Sequence, residues 1–247
     1  MGNIRSADGA HGDTGSMKHI QKTDVPHEYM AWCRRVRGTP TEDFRSLQNP
    51  EKASLHEALL QEQGWLCAYT MRRVGNDSSH IEHIKPESLC RLAQAGSDLD
   101  YENLVACFPR DGMEEGYRYG AQKKGDWWAN DGHDFVSPLQ PNCETRFRFD
   151  LDGKIEAVGN HPAAVNTIRV LALDHPSLTE DRKRVILEYV FGETGADPLS
   201  KAQALRSINM ILQRDGRYRF FEFCVAIRHA IGEYLGQLAK RGNRRRF

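Results

Sequence analysis

The sequence predicts an α+β fold in which a small strand-built module is embedded between an N-terminal helical segment and a mostly helical C-terminal region. Three observations carry this expectation. Apolar residues recur at helical spacing from Pro26 to Arg37, again from about Glu51, and through much of the last third of the chain. Between them, His80-Ile-Glu-His-Ile-Lys-Pro86 is a short β-branched run that a proline ends, and it reads as a strand. Further on, Asp152-Gly153 separates Arg146-Phe-Arg-Phe149 from Lys154-Ile-Glu-Ala-Val158, a strong hairpin signal.

Taken in order, residues 1–16 are rich in Gly, Asp and Ser and nearly free of large apolar side chains, so they are expected to be a disordered extension. The helical segment spans 17–66. In its first helix Tyr29, Met30, Trp32, Cys33 and Val36 form the apolar face, and Gly38-Thr-Pro40 ends it. The second carries Leu55, Ala58 and Leu59, with Gly64 where a C-terminal cap belongs. The strand module spans 67–130. Its expected first strand is Cys67-Ala-Tyr-Thr-Met71, paired as a hairpin with the strand at His80, and Leu104 and Val105 return towards that hairpin. A short helix is expected between Ser88 and Gly96, and Trp127 and Trp128 are expected to pack a further element onto the strands. The last unit, 131–247, holds the Asp152-Gly153 hairpin and three helices. One is capped by Thr179, one carries Ala202, Leu205, Ile208, Ile211 and Leu212 and closes at Asp215-Gly216, and the last runs from about Tyr218.

Composition narrows the function classes. Lys plus Arg and Asp plus Glu both number 34, so attraction to nucleic acid has to come from local patches, such as Arg34, Arg35 and Arg37 or the tail with Arg244, Arg245 and Arg246. No apolar run approaches the roughly 20 residues of a membrane span, and a cytoplasmic location is expected. The six cysteines (33, 67, 90, 107, 143 and 224) are scattered without a Cys-x-x-Cys pair, which argues against a disulfide framework and against a structural zinc. His133, His161 and His175 lie beside Gly or Pro in loops and read as turn residues.

The chemistry concentrates at His80, Glu82 and His83. Glu82-His83-Ile-Lys-Pro86, followed by Tyr101-Glu-Asn103-Leu104 and then a lysine-bearing helix, resembles the ββα-metal motif of HNH endonucleases. The wider set of His80-Ile-Glu-His-Ile-Lys-Pro86, Asn103-Leu-Val-Ala-Cys107, Ser137-Pro-Leu-Gln-Pro-Asn-Cys-Glu144 and the segment from Asp174-His-Pro-Ser-Leu178 to Arg184 resembles the HNH subunits of Septu-type anti-phage systems. The resemblance covers roughly Met17 to Arg184.

It implies a nuclease acting on DNA or RNA beside an SMC-like ATP-binding partner, sometimes within a retron with its reverse transcriptase and DNA–RNA product, and no membrane. On this resemblance His83 is the general base, Glu82 and Asn103 are metal ligands, and Lys124 or Lys123 meets the phosphate or the leaving oxygen. Hard oxygen ligands favour Mg²⁺ or Mn²⁺. The chain departs from the family pattern in two ways: the paired cysteines of a structural zinc are missing, and Gly120-Ala-Gln122 stands where a final histidine is usual. His80 is a candidate third ligand or substrate contact. The competing expectation is a catalytically inactive subunit whose degraded motif only binds nucleic acid or a partner. The helical C-terminal half is expected to carry a partner interface or nucleic-acid anchoring.

Overall fold

The computed structural model describes residues 17–113 and 118–244, with side chains to residue 241. The expected extension over 1–16 and the tail residues Arg245 and Arg246 lie outside the described residues. Two helices open the fold, α1 (His27–Val36) and α2 (Glu51–Glu62). Strand β1 (His80–His83) pairs antiparallel with β2 (Leu104–Cys107), in the register His80 to Cys107 and His83 to Leu104. Helix α3 (Glu87–Ala93) lies in the excursion between them, and a four-residue helix, α4 (Ala121–Lys124), follows. The second hairpin is β3 (Phe147–Phe149) and β4 (Ile155–Ala157). Helices α5 (Pro162–Leu171), α6 (Pro176–Phe191), α7 (Lys201–Met210) and α8 (Cys224–Arg244) complete the chain. The protein is α+β, as the sequence predicts.

Several local expectations need correction. The strand at His80 does not pair with 67–71. That segment turns tightly, with one bridge between Leu66 and Arg73, and packs on the far edge of β2 through Ala68 N–H donating to the Ala106 carbonyl at 3.1 Å. Alternating residues announce a strand without naming its partner, and here the partner is the more distant one. Helix α6 begins at Pro176, not at Thr179, because proline at the first helical position has no amide to leave unpaired. The last helix starts at Cys224, since Asp215 to Phe223 is held as loop by hydrogen bonds to Gly64 and Met71. Helix α5 had no counterpart among the expected elements.

A pair of four-residue strands is too small to persist alone. The outer edge of β2 is closed by a side chain: the buried Gln63 amide accepts from Ala106 N–H at 2.7 Å and donates to the Ala106 and Leu66 carbonyls at 2.9 and 2.7 Å. The start of β2 is fixed by a buried polar cluster. Lys22 Nζ donates to the Leu104 carbonyl, while Glu62 accepts from Lys22, from the Tyr101 hydroxyl and from Thr23 N–H. Around these anchors one contiguous apolar core draws Tyr29, Leu59, Tyr69, Leu104, Phe135, Phe147, Ile186 and Ile227 from every part of the chain. The β3–β4 turn rests on α6 so closely that a Cβ on Gly153, which has φ +72°, would come 2.6 Å from the Thr179 carbonyl oxygen.

Gln63→Leu keeps the volume but strips Ala106 N–H and the Leu66 carbonyl of their partners. It is expected to lower unfolding stability by about 2–4 kcal/mol, read from the urea midpoint.

Candidate active site

Strand alternation puts His80 and Glu82 on one face of β1, and the structure brings His80 Nε2 to 3.7 Å from Glu82 Oε2. The ring is held from its other side, where Nδ1 meets the Pro109 carbonyl. A carbonyl accepts only, so Nδ1 carries the hydrogen and Nε2 is the atom offered towards Glu82. The second carboxylate oxygen, Oε1, accepts from Lys124 Nζ at 2.9 Å. Lys124 is 1% exposed in its side chain, and it also donates to the carbonyls of His83 and Gly125 at 3.1 and 3.3 Å.

Burial alone would lower the His80 pKa, but the Glu82 carboxylate and the Pro109 carbonyl outweigh it and raise it. For Glu82 burial pushes upward, and His80 with Lys124 more than reverses this, holding the carboxyl below its usual range. The raised His80 stabilises the fold fully below its unfolded value of 6.5 and loses that contribution as pH rises through its folded value. The lowered Glu82 does so above its unfolded 4.5 and loses it as pH falls. The pair therefore contributes most between those two values.

His83 turns away from Glu82 into the protein: Nε2 donates to the Asp98 carbonyl at 2.8 Å, and the ring meets the edge of Phe44 at 4.6 Å. This fixes the tautomer and leaves the lone pair on Nδ1. Asn103, expected beside Glu82 as a metal ligand, uses its amide on the backbone instead. Its Oδ1 accepts from Lys85 N–H at 2.7 Å and its Nδ2 donates to the Lys85 carbonyl at 2.9 Å, closing the excursion between the strands. Lys124, expected to meet a phosphate, has all three ammonium hydrogens engaged within the protein, whereas the neighbouring Lys123 is exposed. Arg244 ends α8. Cys67 and Cys107 are both buried, and Cys67 Sγ accepts from Phe108 N–H at 3.3 Å. His56 and Ser79, which border the site and were not singled out from the sequence, hydrogen-bond each other at 2.9 Å.

A divalent ion can be tested against this donor set. Among the described residues no group of three or more His, Cys, Asp or Glu side chains is arranged to hold one. Two donors, His80 Nε2 and Glu82 Oε2, do face each other at a separation that one ion can bridge. Magnesium-type sites commonly take one or two protein carboxylates and complete their shell with water and substrate phosphate. One carboxylate and one imidazole would leave most of such a shell open to water and phosphate, and they do not make a closed structural site.

The fold and the site together define an α+β protein with an imidazole–carboxylate–ammonium centre at the end of a short strand pair. No family model matches the chain. It is 30% identical over 155 residues, covering 60% of this chain and 69% of the relative, to a protein of Vibrio cholerae serotype O1 biovar El Tor named "Retron Vc95 putative HNH endonuclease". At that identity and coverage the chain belongs to the HNH endonuclease family. Among the described residues no helix is long and apolar enough to cross a membrane.

In the metal-free protein the His80 imidazole is expected to titrate above 6.5, and Glu82→Gln should bring it down towards or below that value. Histidine ring NMR across pH 5–9 reads this directly, and a His80 value below 6.5 in the wild type would contradict the pairing.

Proposed function

We propose that this protein is a divalent-metal-dependent endonuclease that hydrolyses phosphodiester bonds of DNA or RNA as an effector of phage defence. The observation that carries the reading is Glu82, held between His80 and the buried Lys124 at the end of β1, in a member of the HNH endonuclease family. The retron named in the relative supports a defence role and a retron reverse transcriptase with its product as company, and an SMC-like ATPase partner is proposed from the resemblance to Septu-type HNH subunits.

Hydrolysis needs a base for water and a counter-charge for the phosphate as negative charge develops. The HNH resemblance assigns the base to His83, whose Nδ1 keeps its lone pair while the ring points to the face of β1 opposite Glu82. Its Nε2–H on the Asp98 carbonyl holds the ring and stabilises the imidazolium that forms when Nδ1 takes the proton. His80 Nε2 and Glu82 Oε2 would hold Mg²⁺ or Mn²⁺, and when bound the ion supplies positive charge against the phosphate. Lys124 positions Glu82 and the end of β1, and is a positioning residue in this scheme. Asn103 positions the strand ends by clamping Lys85. The exposed Lys123 meets the phosphate backbone, and Arg244, Arg245 and Arg246 extend the electrostatic contact at the C-terminus.

Purified protein, alone and with an SMC-like partner, should cut plasmid, single-stranded DNA or RNA in Mg²⁺ or Mn²⁺ and stop on chelation. Binding without cutting under all these conditions would establish the inactive reading instead. His83→Ala should lower kcat by about 10²–10⁴-fold at every metal concentration, because a base acts only in the transition state. His80→Ala and Glu82→Ala should raise the metal concentration needed for half-maximal rate and be partly rescued by excess Mn²⁺. Rescue of His83→Ala by metal would reverse the assignment.

A further inference from the structure

A cavity of about 450 Å³ opens between α2 and β1, and His80 lines it. It is therefore contiguous with the candidate active site, while Lys52, His56, Asn76 and Asp111 lie outside that site. Lys52 supplies the positive charge. Among the described residues it has no carboxylate within ion-pair distance, and its Nζ lies 5.7 Å over the Phe44 ring.

Three of the remaining lining residues offer acceptors, alongside the Gln48 and Asn49 amides, which can donate or accept. Ser79 Oγ gives its one hydrogen to the Gly75 carbonyl at 2.7 Å, so at 2.9 Å from His56 Nε2 it accepts, and His56 carries its hydrogen on Nε2. The acceptor left on His56 is Nδ1. Asn76 Nδ2 donates to Glu57 Oε2 at 2.8 Å, which leaves Asn76 Oδ1 as an acceptor as well. Asp111 adds a carboxylate. Lys52 and these three acceptors suit a group that brings a negative charge on one side and N–H donors on the other.

A nucleotide has that pattern, and nucleobases differ in it. Adenine, cytosine and guanine carry an exocyclic amine, whereas uracil and thymine do not. We propose that this cavity is a specificity pocket for the nucleotide adjoining the scissile phosphodiester. Lys52 meets that nucleotide's phosphate, and His56 Nδ1, Asn76 Oδ1 and Asp111 accept from an amino-bearing base. This rests on the nuclease reading above and adds to it a preference for the nucleotide beside the cut. An amine adds hydrogen bonds that a base without one does not make, and because Asn76 and Asp111 are exposed to water the discrimination rests mainly on the half-buried His56.

The test uses the full chain with Mn²⁺ or Mg²⁺ on random-sequence single-stranded 12-mers of DNA and of RNA, with the cut ends sequenced. The pocket predicts an excess of amino-bearing bases at one fixed position beside the cut. Lys52→Met keeps the packing over Phe44 and should raise KM about tenfold with kcat within about twofold, while Lys52→Arg should restore KM to within about threefold. His56→Phe should erase the base preference. Thermal melting equal to the wild type excludes misfolding.

Cleavage with no base preference, or a Lys52→Met protein with wild-type KM, overturns the pocket and leaves the nuclease reading standing. If the wild type never cleaves, titration with GMP, AMP, CMP and UMP decides the pocket by itself. Weaker binding of UMP than of the other three, lost in Lys52→Met, supports it, and the absence of any mononucleotide binding overturns it.

Discussion

The organising constraint is that a strand pair of four residues each has to be completed by groups from outside itself. Gln63 supplies a side-chain amide where a third strand would supply backbone, and Ala68 adds one more hydrogen bond on the same edge. Lys22 and Glu62 fix the start of β2, and Asn103 extends the ladder beyond the end of β1 by pairing with Lys85 as a strand residue would. These substitutes are buried or half-buried, so each one lost leaves backbone groups without water or protein to bond. The face of β1 that carries His80 and Glu82 inherits its rigidity from this frame.

The sequence announces the chemistry more clearly than the arrangement. Local patterns are sufficient for α1, α2, α3 and the β3–β4 hairpin, since periodicity, prolines and Asp152-Gly153 act within a few residues. They are insufficient for strand partners, and segment 67–71 is a turn joined to β2 by the single backbone hydrogen bond from Ala68 to Ala106. His80, Glu82 and His83 stand out because ionisable groups sit on a β-branched run. Which of them face each other depends on the strand pleat and on Pro109, 29 residues from its partner His80, and Asp98, 15 residues from its partner His83, neither of which gives a local signal. The engagement of Lys124 and Asn103 with backbone carbonyls and amides is likewise invisible in one dimension.

Lys124 shows how burial sets a role. An ammonium in the interior is costly unless compensated, and here one carboxylate oxygen and two carbonyls compensate it fully. The same bonds neutralise one side of Glu82 and leave the other oxygen facing His80. A carboxylate so placed is pre-oriented before any ligand arrives, which lowers the reorganisation that a later step would require.

The helix that delivers Lys124 has only four residues and is bounded by glycines, with Gly120 at φ +71° and Gly125 at φ +48°. It is not anchored by its own length. Gly120 N–H donates to the Leu171 carbonyl at 2.7 Å, at the last turn of α5, and the preceding Tyr119 hydroxyl accepts from Arg72, which also pairs with Asp181 on α6. The corner between α5 and α6 is thereby tied mechanically to the ammonium that fixes Glu82. A displacement of that corner reaches the strand end through one backbone hydrogen bond and four residues of chain, so the geometry of the centre is set jointly by the strand module and by helices distant from it in sequence.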